Sequence, residues 1–416
     1  MKCVGANVLA VLGSLVVSVL AVEAVLRLWP GVIGIGALSE FAPKLRASIA
    51  AQRGLRLASD TVPIPRSDGG PPERLWVYKP GAEISYDFDE PGIVETVRMD
   101  DHGFCNPDPD SYRNPRFDVV ALGDSFTWCT TVHPTDAWPA VFAKLSGLTT
   151  YNLGLPGRGP QEYLEILRAF GVQKHPRFVV VDIYEGNDFR DSYRFHEWKS
   201  DPRGAKTENP CPFSTAAACG VHDVLARTPL GSHSYAYNLV AGTLWHKAAE
   251  TRESGYDFRY DVELSDGTIE PFNTRNGDLN ELEYASRLRV GAADVDVFDD
   301  AMDGFAALAK AEGFRVVLAY TPAAYSAYGA RVRFHTRDVA DTMKLYSSRQ
   351  REYFARKSAE LGFEFVDMSG PLGVAAADTS TSAPLYFRTN SHLTPHGHAV
   401  VAEALARNAV FSPSGP

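Results

Sequence analysis

Short apolar runs alternate with amphipathic stretches over most of this chain. Residues 117–122, 149–153, 178–184, 315–320 and 363–367 are each dominated by apolar or β-branched side chains and bounded by turn-forming residues. Such runs fit strands buried on both faces of a parallel sheet. Between them, residues 135–147, 160–171, 296–311 and 339–361, and a stretch from about Pro395, carry helical spacing. Phe298, Met302, Phe305 and Leu308, for example, fall on one face of a helix. Strand–helix alternation predicts an α/β fold, a three-layer α/β/α sandwich with a central parallel sheet. Upstream, residues 83–88 and 94–99 alternate polar and apolar positions, which predicts a β-hairpin packed on the main sheet. Residues 189–295 interrupt the alternation. They are polar, tyrosine-rich and too long for a plain connection, so they read as an inserted cap segment, with a helix over Tyr235–Glu250.

The N-terminus has its own pattern. Residues 3–22 hold no charged side chain; Lys2 precedes them, and Glu23 and Arg27 follow. A run of that length can span a bilayer, whereas the apolar part of a secretory signal is usually shorter. Residues 1–29 therefore read as an uncleaved transmembrane signal anchor, with Lys2 inside and the remainder on the periplasmic or extracellular side. Val22-Glu23-Ala24 is a weak cleavage pattern, and secretion after cleavage is the alternative. The expected organisation is an anchor at 1–29, an N-terminal extension at 30–115 and one domain at 116–410 carrying the insertion at 189–295. Five cysteines occur, four of them beyond the apolar segment. Cys211 and Cys219 bracket a short Pro/Ala-rich loop and are expected to pair, which leaves Cys105 for Cys129; four buried free thiols are the alternative. Disulfides persist in oxidising compartments, so pairing agrees with export. The net charge of −10 offers no basic field for nucleic acid.

Three strand-like runs end in polar, glycine-containing turns, where open α/β sheets bind ligands. The first is followed by Gly123-Asp124-Ser125-Phe126-Thr127, the second leads into Asn152-Leu153-Gly154-Leu155-Pro156-Gly157, and the third ends at Gly186-Asn187-Asp188. Near the C-terminus stands Thr389-Asn390-Ser391-His392-Leu393-Thr394-Pro395. This ordered set resembles the SGNH (GDSL-type) hydrolase superfamily over roughly residues 116–190 and 314–408. The resemblance implies a flavodoxin-like sheet and a serine esterase or acyl hydrolase. Ser125 would be the nucleophile, which needs a base within hydrogen-bond reach. His392 would be that base. The Ser125 and Gly154 N–H groups and the Asn187 side chain would form the oxyanion hole. Thr127 stands where a Gly-x-Ser-x-Gly elbow needs glycine, which argues against an α/β-hydrolase.

Two positions depart from the family pattern. The family usually places an aspartate two or three residues before the histidine; here Asn390 and Thr389 occupy those sites. Asn390 can orient but carries no charge, so the expected machinery is a Ser-His dyad helped by Asn390 or a backbone carbonyl. A distant acid such as Asp378, or weakened activity, are the alternatives. Glu185 stands where relatives often carry glycine. Asp124 and Asp188 read as turn-shaping and capping residues, and His396 and His398 as packing. The insertion's aromatic residues (Tyr184, Phe189, Tyr193, Phe195, Trp198, Tyr235, Tyr237, Trp245) read as core or as a sugar-stacking wall. No metal-site spacing or cofactor motif is present in the sequence, so neither a metal nor a cofactor is expected. The partners implied are an acylated small molecule or glycan as substrate and the membrane through the N-terminal helix. An O-acyltransferase modifying an exopolysaccharide, or a catalytically weak glycan-binding protein, are the rival functions.

Overall fold

A computed structural model describes residues 2–34, 38, 41–57, 61–64, 75–87, 94–200, 224–225, 228–253, 258–273, 279–381 and 383–412. The chain divides into two compact units, Met1–Leu57 with Lys206–Gly255, and Ala58–Ala205 with Tyr256–Pro416.

In the larger unit the strands, in chain order, are β1 (Thr61–Pro63), β2 (Trp76–Tyr78), β3 (Glu83–Asp87), β4 (Val94–Arg98), β5 (Val119–Leu122), β6 (Thr150–Asn152), β7 (Phe178–Tyr184), β8 (Tyr260–Glu263), β9 (Ile269–Phe272), β10 (Arg315–Thr321), β11 (Val332–Phe334) and β12 (Glu364–Asp367). Five of them form an all-parallel sheet in the order β12-β10-β7-β5-β6. Every residue of β5 and β7 is buried, because helices cover both faces and the sequence supplies apolar side chains at both parities. Helices Trp138–Ser146, Ser369–Ala377 and Pro395–Ala406 pack as one group, and helices Pro160–Ile166, Asp299–Glu312 and Arg337–Leu361 as another. Along Arg337–Leu361 the buried positions include Val339, Met343, Tyr346, Gln350, Tyr353 and Phe354, the three-and-four spacing of an amphipathic helix. After β5 the chain steps to β6 on one side; β7 lies on the other. The carboxyl ends of β5 and β7 therefore flank the switch point of the sheet, where a crevice opens for a ligand.

β3 and β4 pair antiparallel, with Ile84 opposite Val97 and both buried in the core that holds the central sheet. Cys105 and Cys129 stand at disulfide distance, with Cα atoms 6.1 Å apart, tying the segment after this hairpin to the turn after β5. Cys211 and Cys219 lie outside the described residues.

The segment 189–295 is not one cap. Asp188–Ser200 continues from β7 as a helix, and β8 and β9 form a hairpin joined by β11 into a second sheet of the same unit. Asp266-Gly267 at the tip of that hairpin, with Gly267 at φ +85°, is the turn signal that marks it. Residues 206–255 instead belong to the unit that contains the N-terminus.

In that smaller unit, helices span Lys2–Leu28, Pro43–Gln52, Pro229–His233 and Tyr235–Glu253. The Glu23 carboxylate accepts hydrogen bonds from Ser234 Oγ (2.9 Å) and from the Tyr235 and Ala236 N–H groups (3.1 and 2.8 Å). A glutamate far away in sequence thus satisfies the orphan donors at the start of a helix. Arg27 pairs with Glu23 at 2.6 Å and lies over the Tyr235 ring. The stretch read as a transmembrane span forms the helix Lys2–Leu28, but among the described residues no helix is long and apolar enough to cross a membrane. The side chains of residues 2–12 and 15, which make up much of that span, lie outside the described ones.

Candidate active site

The turn after β5 is built around Asp124. Its buried carboxylate accepts the Phe126 N–H at 2.8 Å, and its carbonyl accepts the Thr127 and Trp128 N–H groups at 3.3 and 3.0 Å. The chain therefore reverses directly off the strand and presents Ser125. Thr127 fixes the turn to the sheet. Its hydroxyl donates to Asp182 Oδ2 of β7 (2.9 Å) and accepts from Trp138 Nε1 (3.3 Å). Thr321, at the end of β10, donates to the other oxygen of Asp182 at 2.7 Å. Burial pushes the Asp182 carboxyl up to about 6. Gly123 is required beneath this network, since a Cβ there would lie 2.1 Å from Thr127 Oγ1.

His392 arrives from the far end of the chain. Tyr386 and Leu393 form an antiparallel bridge, the Phe387 N–H donates to the His392 carbonyl at 2.8 Å, and Ser391 turns the loop at φ +56°. Thr394 then caps the helix Pro395–Ala406, its hydroxyl accepting the Gly397 N–H at 3.2 Å. This frame places His392 Nε2 at 2.9 Å from Ser125 Oγ, across 267 positions of sequence. The imidazole stacks on Phe126 (centroids 5.0 Å apart), and Phe126 in turn stacks on Tyr184. Desolvation pushes the His392 pKa down to about 4.

The other ring nitrogen decides the character of the site. His392 Nδ1 is buried and has no hydrogen-bond partner among the described residues. Asn390 Oδ1 accepts the backbone N–H of His392 at 3.1 Å, so Asn390 shapes the loop rather than holding the ring. Asp378 is fully exposed and bonds locally to Ser380. Ser125 Oγ also lies 3.4 Å from Asp124 Oδ2. Burial pushes the Asp124 carboxyl up to about 7, with the charges of Asp182 and Asp191 acting in the same direction.

The three oxyanion candidates differ in what already engages them. Among the described residues, the Ser125 N–H has no acceptor. The Gly154 N–H donates to Asn152 Oδ1 at 2.9 Å, and Asn152 Nδ2 donates to the Thr127 carbonyl at 2.9 Å. Gly154 is small because it abuts the nucleophile turn: a Cβ there would lie 2.7 Å from Trp128 N and 2.9 Å from Thr127 C. The Asn187 amide bonds Asp191 Oδ2 at 3.0 Å and the Asp124 carboxylate, while its Oδ1 is buried without a partner.

The remaining polar residues are structural. Asp188 accepts the Tyr163 hydroxyl at 2.7 Å and the Tyr184 N–H at 3.0 Å, and burial holds its carboxyl well above the usual range. Glu185 is a buried hub that accepts from Ser326 and Ser347, a role glycine could not fill, and burial pushes it up to about 7. His398 accepts the Trp138 N–H at 3.2 Å. Tyr184, Phe189, Phe195 and Trp198 are buried, and Phe189 meets Tyr284, Phe298 and Tyr346, so these aromatics pack the core. Tyr235 is buried in the smaller unit, and the Trp245 side chain lies outside the described residues. No metal-ligating cluster occurs among the described residues.

Sequence reasoning missed Phe126, Asn152, Asp182 and Thr321. A carboxylate inside the apolar run 178–184 was the available signal for Asp182, because a buried strand charge needs dedicated partners.

No protein-family model and no curated protein matches the chain. Its neighbours among solved structures include G-D-S-L hydrolases and acetylxylan esterases. One is a protein from Desulfitobacterium hafniense described as lipolytic and of the G-D-S-L family, at 15% identity over 70% of this chain and 97% of that one, with a TM-score of 0.34. A second is a catalytic mutant of Axe2, an acetylxylan esterase from Geobacillus stearothermophilus, at 11% identity over 70% and 92%, with a TM-score of 0.32 or less. A third is the acetyl xylan esterase AlAXEase, at 12% identity over 69% and 97%, with a TM-score of 0.32.

Proposed function

We propose that this protein is a serine-dependent ester hydrolase acting on acyl groups of exported or cell-envelope glycans. One observation carries the reading: a serine hydroxyl at the carboxyl edge of a parallel sheet lies 2.9 Å from the Nε2 of a desolvated histidine. A base must be within that reach of the proton it removes and must be unprotonated at working pH, and a lowered imidazole pKa meets the second condition. Ser125 would attack the ester carbonyl and pass its proton to His392 Nε2. The tetrahedral oxyanion would be met by the Ser125 N–H, which needs no rearrangement, and by the Asn187 amide once it turns from Asp191 and Asp124. His392 would return the proton to the departing alcohol, and water would release the acyl-enzyme.

For Nε2 to act as base, the ring proton must sit on Nδ1, which has no acceptor among the described residues. The mechanism is therefore a dyad, and loss of the orienting acid costs a triad enzyme on the order of 10⁴ in kcat. That same orphaned nitrogen favours a second reading, a glycan-binding protein with weak or no turnover. Export and membrane attachment are supported by the apolar run at 3–22, by exposed Val16, Val17, Val19 and Leu20 on the first helix, and by the Cys105–Cys129 pair.

A fluorophosphonate probe tests the proposal directly. Labelling of the wild type, its loss in Ser125→Ala, and a fall of at least about 10³ in p-nitrophenyl acetate turnover are expected. Equal turnover by Ser125→Ala would refute the nucleophile, and an unlabelled, folded wild type would favour the binding protein.

A further inference from the structure

We propose that the groove between the β8–β9 hairpin and the loop carrying His392 is the binding subsite for a neutral sugar ring of the substrate. This deepens the esterase reading and rests on it for the word substrate.

The groove has a volume of about 600 Å³, within the range of small-molecule sites. One wall comes from the insertion: Leu264, Glu270 and Phe272. The other is made from both limbs of the His392 loop, with Phe387 and Arg388 before the histidine and His396 after it. The limbs are clamped to each other by the Tyr386–Leu393 bridge and by the Phe387 N–H on the His392 carbonyl. The hairpin is tied to the same region by Ser265 Oγ donating to the Thr381 carbonyl at 2.9 Å. A ligand seated here touches the segment whose position sets the 2.9 Å contact with Ser125.

The lining chemistry selects among ligands. Leu264, Phe272 and Phe387 offer apolar and aromatic surface, which suits the C–H face of a pyranose. In the same lining, Arg388 Nη1 and Glu270 Oε2 form an ion pair at 2.8 Å whose side chains remain 41% and 27% exposed. Because both side chains stay partly exposed, the pair can exchange water for sugar hydroxyls. Among the described lining residues the charges of Arg388 and Glu270 offset each other, which gives no preference for a charged ligand. A long acyl chain would strip water from both ions and return no hydrogen bond.

The test uses full-length Ser125→Ala, which leaves an ester intact. Its affinity for partially O-acetylated xylo-oligosaccharides is measured by titration calorimetry, alone and combined with Phe387→Ala or Glu270→Gln. Loss of an aromatic platform, or of the charge on a hydroxyl acceptor, weakens Kd by roughly five- to tenfold, and both double variants are expected to do so. Thermal melting checks the fold, and Glu270→Gln stands if Phe387→Ala does not fold. Kd unchanged within twofold in the folded variants, or no binding of these oligosaccharides by Ser125→Ala, overturns the subsite. A change in KM for p-nitrophenyl octanoate without a change in glycan Kd, measured on the same substitutions in the Ser125 background, assigns the groove to the acyl chain instead and equally overturns it. Because binding needs no turnover, failure of the fluorophosphonate to label Ser125 would sink the esterase reading without touching this measurement.

Discussion

Replacing Asn390 with aspartate puts a carboxylate beside an imidazole whose Nδ1 has no partner among the described residues. The loop should tolerate the change, because Asn390 uses its side-chain oxygen to accept the His392 N–H, and an aspartate oxygen accepts the same bond. The added charge then acts on the ring through space. Two unit charges 4 Å apart interact by about 4 kcal/mol at an effective dielectric constant of 20, and at roughly twice that distance about 2 kcal/mol remains. That corresponds to an imidazolium stabilised by about 1 to 2 pKa units. In the wild type, desolvation holds the His392 pKa down, toward about 4. The acid limb of kcat/KM should therefore fall well below the ordinary imidazole value of about 6.5, since this limb reports the base in the free enzyme. In Asn390→Asp the limb should move upward by about 1 to 2 units, and the plateau rate should hold or rise, because the imidazolium formed in the transition state now has a counter-charge. The assay is kcat/KM for p-nitrophenyl acetate from about pH 3 to 9 with both proteins, with melting curves to confirm folding. An unmoved acid limb in a folded variant would refute the electrostatic argument. A plateau that drops sharply would show that Asn390 does more than hold the loop.

Other outcomes follow from the same contacts. Gly154→Ala forces a Cβ against the backbone of Thr127 and Trp128, where nothing can rotate away; chemical denaturation should show a loss of about 1–3 kcal/mol or more, and a neutral result would mean the turn is softer than drawn. Thr127→Val removes the hydroxyl between Asp182 and Trp138; a loss of about 1–3 kcal/mol is expected, together with reduced fluorophosphonate labelling, whereas unchanged stability would deny Thr127 its anchoring role. His398 is fully buried, and desolvation lowers its pKa to about 3. A depressed imidazole pKa means the unfolded chain takes up the proton first, so wild-type stability should fall as the pH drops from about 6.5 toward 3. His398→Gln should flatten that part of the melting-temperature profile, and parallel profiles for the two proteins would exclude His398 as the cause.

The elements at the sheet edge were legible in the sequence because they depend on neighbours in the chain. Apolar runs of strand length specified β5, β6, β7, β10 and β12, and the residues just beyond the first three marked where a ligand crevice should open. The alternation in residues 83–99 similarly specified the β3–β4 hairpin. The 189–295 segment was read less well, since its division between two units depends on which surfaces 206–255 buries, and no local period records that. The same limit applies inside the site. Ser125, Asn187 and His392 could be named from their motifs, but hydrogen-bond partners are chosen by packing. Only the folded chain directs Asn390 to a backbone N–H, engages the Gly154 N–H with Asn152, and leaves His392 Nδ1 without an acceptor among the described residues. Periodicity and turn chemistry are written residue by residue, so the chain alone determined where the five strands of the central sheet form and end. The meeting of Ser125 with His392 across 267 positions depends on the sheet order and on the bridged loop that brings the histidine back, and this the tertiary structure alone decided.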